Sequence, residues 1–332
     1  MRDYLVLLCG VLIASSAAIM IRFAQADGMA SLTIAAGRLT LAAVILTVPA
    51  MRRGSRREHH WRPRFVVAAA SAGAFLALHF AAWITSLEHT SVASSVALVA
   101  TNPVWVAIVS HFFLRERVGK AGVIAVMLTL AGSVVLGVSG WVAEFGLGPA
   151  VRGELSLAEA VLRQTSLRGD LLALLGAIAA SAYLLIGRRS RAAGALIRYI
   201  WIAYATAAVL LWMAVVFTDT PATGYPVRAY LMVVGLGLGP QLLGHGAFNY
   251  AVRRLSATVV AVAIVGEPIG SAVLAFLLLG ERLVSVPLVA GDLRVAVPIQ
   301  LVGLMILVVG IVLAAYDEQR RHRSTRGAHR DL

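Results

Sequence analysis

The chain repeats itself. Asn102-Pro103 is followed by Glu116-Arg117, and Glu267-Pro268 by Glu281-Arg282; the two sets lie 165 residues apart (102 to 267, 116 to 281) without a gap. The same offset relates Ala42-Ala43-Val44 to Ala207-Ala208-Val209 and Trp83 to Phe248. A fixed period of this kind marks two copies of one structural unit. The chain that carries it is 60% hydrophobic and only 14% charged, with a mean hydropathy of +0.85. A water-soluble domain carries roughly 25% charged residues, so this chain cannot cover a surface facing water. A duplicated unit embedded in lipid is the fold these two facts allow.

Apolar runs of the length that crosses a bilayer, about 20 residues each, recur from end to end. They predict spans at 4–24, 31–50, 65–87, 91–114, 119–139, 169–187, 196–217, 228–251, 257–280 and 297–316. With the N-terminus in the cytoplasm, the cytoplasmic segments hold twenty-one basic residues and the opposite side six. Arg52, Arg53, Arg56, Arg57, Arg62 and Arg64 crowd one cytoplasmic connector, and Arg320, Arg321, Arg323, Arg326 and Arg330 the tail. That bias fixes the orientation, with both termini on the cytoplasmic side of a cell (inner or plasma) membrane. It also accounts for the net charge of +13 without a nucleic-acid partner.

Five spans per copy is an odd number, so the second copy enters the membrane from the other face. The expected fold is an all-α integral membrane protein of ten transmembrane helices arranged as two inverted five-helix repeats. Residues 1–139 and 169–316 form the repeats, 140–168 an extracytoplasmic connector and 317–332 a basic cytoplasmic tail. The turn Glu88-His89-Thr90 is acidic, whereas its aligned partner Arg253-Arg254-Leu255 is basic, each charged for its own side. The N-terminal segment looks like a secretory leader. Yet Gly10, Ala14, Ser15 and Arg22 are echoed by Gly176, Ala180, Ser181 and Arg188, so it is expected to be a retained helix. In the connector, Leu155, Ala158, Val161 and Leu162 make an apolar stripe that suits either a short interfacial helix or a plain linker. Near 281–296 the offset grows to 178 (Gly132 to Gly310), leaving about 13 extra residues in the second copy, bounded by Pro287 and Pro298.

Polar side chains inside hydrocarbon are costly, so each is a candidate site or a candidate lock. Gln241, His245 and Asn249 recur every four residues on the eighth span and share a helical face. They line a substrate cavity or form an interhelical hydrogen-bond seam. The prolines of Asn102-Pro103 and Glu267-Pro268 each remove a backbone hydrogen bond near mid-span. Broken helices at matching positions in two copies point to a transporter's central site. Glu267 would accept a substrate ammonium, carry a coupling proton, or stay protonated and cap the freed carbonyls. Arg38 pairs with a substrate carboxylate or locks onto a neighbouring helix. His79 and Trp83 offer an imidazole and a stacking face; Ser15, Ser16, Ser181 and Tyr183 offer hydroxyls. Glu116 and Glu281, each beside an arginine at a span end, are expected to anchor the fold. The single cysteine, Cys9, excludes an intramolecular disulfide and a Cys-based metal site. No cofactor is expected.

These residues together resemble the EamA-type branch of the drug/metabolite transporter superfamily. The resemblance rests on Arg38 in the second span and on Asn102-Pro103 with Leu114-Arg115-Glu116-Arg117. It continues in Gly266-Glu267-Pro268, Leu279-Gly280-Glu281-Arg282, Gly303 and Gly310. It implies a ten-helix inverted repeat around a central cavity and the export or import of amino acids or other small metabolites, with no shared catalytic residue. The expected function is secondary-active transport, preferably export, by alternating access, with a small-molecule substrate, a coupling proton as an option, and a monomer or homodimer among membrane lipids. No Gly-x-x-x-x-Gly-Lys-Ser/Thr loop is present, which excludes ATP-driven transport by this chain alone. A lipid flippase or scaffold of the same fold is one alternative. An intramembrane serine protease using Gly137-Val138-Ser139-Gly140 and His245 is a remoter one, because the two side chains fall on opposite sides of the midplane. Neutral amides, imidazoles and aromatics around one acid and one base suit a small zwitterionic or amphipathic solute.

Overall fold

The structure is a computed structural model and describes residues 2–51, 63–89, 95, 98–99, 101–114, 119–145, 167–189, 196–267, 270–271, 274, 277, 286–290, 293–297 and 299–328. The first half comprises α1 (Arg2–Ala14), α2 (Ala17–Ala26), α3 (Ser31–Met51), α4 (Pro63–His89), α5 (Asn102–Leu114) and α6 (Lys120–Phe145). The second comprises α7 (Leu167–Arg189), α8 (Leu196–Phe217), α9 (Val227–Leu236), a π-helical stretch (Gly237–Gly244), α10 (His245–Ala251), α11 (Ala257–Ile264) and α12 (Ile299–Ala328). Hydrocarbon offers no partner to a free N–H or C=O, so a chain this apolar satisfies its backbone within helices. Six helical segments among the described residues are long and apolar enough to cross a membrane: Arg2–Ala26, Ser31–Met51, Pro63–His89, Arg168–Gly187, Leu196–Phe217 and Val227–Ala251.

The outer surface is apolar, with Leu8, Leu12, Val44, Val48, Met127, Val216, Leu231 and Val312 exposed. In water that belt would be a liability; against lipid tails it is the required face. The interior is filled by small residues (Ala35, Ala36, Ala42, Ala72, Ala203, Ala207) that let helix backbones approach closely.

Alongside the contact of α4 with α8, five pairings between the halves form a reciprocal set. The element α1 lies on the π stretch and α10, α4 on α7, α3 on α8, α5 on α11 and α6 on α12. Exchanging the halves converts the first pairing into the second and returns the other three to themselves. The reciprocity extends to single atoms. A Cβ placed on Gly132 would lie 2.9 Å from the Gly303 carbonyl oxygen, and one on Gly310 would lie 3.1 Å from that of Ala125. One on Gly10 would meet the Gly244 carbonyl at 3.3 Å, and one on Gly176 that of His79 at 3.5 Å.

Three features depart from the sequence reading. The helix of the predicted fifth span, α6, continues to Phe145, and α12 continues through the basic segment to Ala328. The extra segment of the second half, to which the sequence assigned no span, adds a short strand pair to the helical fold: β1 (Val286–Ala290) and β2 (Leu293–Val297) pair antiparallel. Val286 stands opposite Val297 and Ala290 opposite Leu293. The segment is rich in valine and carries Pro287, which suits an extended chain and opposes a helix interior. Glu116, Glu281, most of the six-arginine connector and the stripe at 155–162 lie outside the described residues.

Candidate functional site

Regular helix is interrupted at four places, and the candidate residues gather around them. The first apolar segment breaks between α1 and α2 at Ser15 and Ser16, whose hydroxyls turn back onto the carbonyls of Val11 (2.7 Å) and Ile13 (2.8 Å). Such back-bonding competes with the helical ladder and bends it. Thr101 forms a turn just before Asn102, its N–H on the Leu98 carbonyl at 3.1 Å. Beyond α11 the chain tightens at Val265 and Gly266, where the Gly266 N–H reaches the Ala263 carbonyl at 2.9 Å. In the π stretch the His245 N–H reaches back five residues to the Pro240 carbonyl. The Ser271 hydroxyl donates to the Ser15 carbonyl at 2.7 Å, tying the first break to the segment beyond α11.

Arg38 projects from α3 and is only 1% exposed. Its guanidinium carbon stands 4.3 Å from the Phe80 ring centroid, and none of its three nitrogens has a hydrogen-bond partner among the described residues. A cation over an aromatic face gains some attraction, but an unpaired buried guanidinium remains costly. Glu267 lies within electrostatic reach of Arg38, as the acid of the pair. Around them His79 stacks on Trp83 (centroids 5.7 Å apart, planes 12° apart), and His245 meets Phe80 and Phe248 edge-on at 5.4 and 5.5 Å. The Nδ1 of His79 is 2.9 Å from the Gly176 carbonyl. A carbonyl only accepts, so that nitrogen carries a proton. His245 and Glu267 are half-buried among these groups.

A second polar group adjoins this cluster. Gln241 is 0% exposed, and both atoms of its amide lack a partner among the described residues. The Tyr204 hydroxyl donates to the Gln241 backbone carbonyl at 3.0 Å. The Asn249 amide donates to the Tyr183 hydroxyl and to the His245 carbonyl, the latter at 2.8 Å.

Of the residues singled out by sequence, Arg38, His79, Trp83, His245 and Glu267 converge on one region, with Gln241, Asn249 and Tyr183 beside it. Asn102 and Ser16 are placed differently. The Asn102 carbonyl accepts from Ser181 at 3.2 Å, and its side-chain oxygen is buried without a described partner. Ser16 spends its hydroxyl on its own backbone. The regular four-residue face of Gln241, His245 and Asn249 also needs correction, because the π stretch runs through Gln241 and changes the angle per residue there. Phe80 and Tyr204 adjoin these candidates, and the sequence does not single them out, since an aromatic in an apolar span looks like core.

These features define a multi-pass helical membrane protein with a polar cluster enclosed between two sets of helices. The chain matches the EamA-like transporter family over residues 1–138 and 167–316. It belongs to that family and is therefore a membrane transporter rather than an enzyme. It is 26% identical over 271 residues to a protein of Streptantibioticus cattleyicolor described as a "Probable terminal-alkyne amino-acid exporter", covering 81% of this chain and 83% of that one. A solved structure described only as "Crystal structure of protein" shares the fold with a TM-score of 0.71 at 18% identity, over 96% of this chain and 98% of its own.

Proposed function

We propose that this protein is a secondary-active exporter of a small zwitterionic or amphipathic solute, an amino acid or close analogue, working by alternating access. The observation that carries this reading is Arg38, a buried cation whose three nitrogens find no described partner. A carboxylate is the group that would complete it, through a bidentate charge-assisted pair. Glu267 is suited to the ammonium of the same solute or to a coupling proton. The rings of Phe80, Trp83 and Phe248 give the side chain an apolar bed, and Gln241 offers one donor and one acceptor. The name of the Streptantibioticus cattleyicolor relative supports both the direction and the solute class.

Ten spans in two inverted repeats, residues 1–139 and 169–316, are the architecture proposed for this motion. The exchange-invariant pairings and the matching approaches at Gly132 and Gly310 support it. Rocking of one half against the other would open the site to either face in turn. The arginine bias supports an orientation with both termini on the cytoplasmic side of a cell membrane.

Thermal stabilisation in detergent and counterflow in proteoliposomes test the reading, with propargylglycine and norvaline among a panel of amino acids. A bound solute raises the apparent stability by mass action. Arg38→Ala, Gln241→Ala, His245→Ala and Glu267→Gln are each expected to reduce the solute-dependent shift and the counterflow. If all four behave as the parent, the site lies elsewhere.

A further inference from the structure

The π-helical stretch is where the two copies differ in length inside a helix. In the first copy, a Cβ on Gly73 would meet the Ala203 carbonyl and Thr206. In the second, one on Gly237 would meet the Arg38 carbonyl at 3.2 Å and Leu41. Arg38 and Leu41 precede Ala203 and Thr206 by the usual 165 positions (38 to 203, 41 to 206). Gly73 and Gly237 are therefore equivalent points. So are His79 and Gly244, whose carbonyls face the equivalent glycines Gly176 and Gly10. The first copy covers the interval in six steps (73 to 79) and the second in seven (237 to 244). An α-helix absorbs one extra residue by widening to an i→i+5 ring, which is what the His245-to-Pro240 bond records.

We infer that one residue inserted into the eighth span builds a one-sided polar wall in the site proposed above and thereby sets its preference for a polar head group. This rests on that reading of the site. Widening loosens the backbone at Gln241, and the Tyr204 hydroxyl fills the carbonyl at 3.0 Å. Its counterpart in the first copy is Leu39, which has nothing to donate. Tyr183 and Asn249, linked to each other, correspond to Ala17 and Ile84. At these positions the first copy thus has Leu39, Ala17 and Ile84 and a regular helix where the second has a π turn with two phenols and an amide. The Gln241 amide, fully buried with donor and acceptor both without a described partner, is the group this wall presents to a ligand. It lies four residues beyond Gly237, which itself abuts the Arg38 backbone. A solute carboxylate held at Arg38 would bring its neighbouring polar atoms to Gln241.

Deleting Leu238 tests this directly. Leu238 is 45% exposed on the lipid face, so its loss removes little packing, and six steps between the fixed contacts is the spacing the first copy already uses. The deletion variant is expected to purify folded, with a thermal midpoint near that of the parent. The apparent affinity for propargylglycine should weaken at least tenfold, about 1.4 kcal/mol. Unaltered affinity, or failure to fold, overturns the inference. Tyr204→Phe in both backgrounds supplies a readout without ligand. It should lower the thermal midpoint of the parent and leave that of the deletion variant unchanged; equal effects in the two overturn the inference. Absence of any solute response in the parent would instead count against the proposed function, while the Tyr204→Phe comparison would still decide the role of the insertion.

Discussion

Arg38 lies with its guanidinium carbon 4.3 Å from the centre of the Phe80 ring, enclosed by protein and without a described hydrogen-bond partner. An arrangement of this kind costs stability in the empty protein and is relieved when an anion enters. Arg38→Met keeps an unbranched apolar stem and removes the charge. It is expected to raise stability, because a buried guanidinium with no hydrogen-bond partner among the described residues is costly to keep out of water. It should also abolish the solute-dependent shift. Thermal unfolding with and without amino acids measures both, and a variant that is less stable than the parent would mean that Arg38 is a structural lock.

Close backbone approach makes a second prediction. A Cβ on Gly73 would lie 2.4 Å from the Ala203 carbonyl oxygen, and backbone on the facing helix cannot yield as a flexible side chain can. Gly73→Ala is expected to destabilise by about 1–3 kcal/mol, the usual cost of overpacking. Gly132→Ala and Gly310→Ala, which meet carbonyls at 2.9 and 3.1 Å, should behave alike. Gly246→Ala meets nothing within 4 Å and should be neutral or slightly stabilising. Midpoints of unfolding in one detergent rank the four.

Asp27, in the turn after α2, accepts a bidentate pair of hydrogen bonds from Arg228 at the start of α9. The pair joins the two halves at one face. The hydrogen bond from Arg228 holds the Asp27 carboxyl below its ordinary value, with the Arg228 charge adding to it and desolvation opposing. A carboxyl lowered in the folded state contributes stability above its ordinary value and loses it as the pH falls through the lowered one. The coupling between Asp27→Asn and Arg228→Gln in a double-mutant cycle should be present at pH 7, fade below pH 4, and shrink in high salt, because the guanidinium is largely exposed.

Ser271 donates to the carbonyl of Ser15 at 2.7 Å, where the first helix is interrupted. Interhelical hydrogen bonds within membranes are worth about 0.6 kcal/mol on average. Ser271→Ala is expected to cost about that much, and Ser271→Thr, which keeps the hydroxyl, to recover it. Unfolding in a common detergent distinguishes the two.

In a Cys9→Ala background, Arg64→Cys should react with membrane-impermeant thiol reagents from the cytoplasmic side and Asp27→Cys from the outside. Reaction of Arg64→Cys from the outside would overturn the proposed orientation.

Membership of a membrane-transporter family was legible in the residues. Arg38, His79, His245 and Glu267 stood out because a polar group in hydrocarbon is conspicuous wherever its neighbours are. Phe80 did not, since its role comes from a guanidinium on another helix rather than from its own chemistry. Tyr204 was equally silent, because the carbonyl it satisfies lies 37 positions away. The strand pair Val286–Ala290 and Leu293–Val297 was visible only as surplus length between prolines.

Duplication, lipid embedding and the list of polar candidates were set by sequence, because each follows from residue type and spacing along a single segment. Which helices face one another, and that the chain widens into a π-helical stretch over Gly237–Gly244, were decided by the tertiary structure. The physical reason lies at Gly73 and Gly237, His79 and Gly244. Their equivalence is defined by carbonyls on opposing helices, and only packing brings those carbonyls within reach.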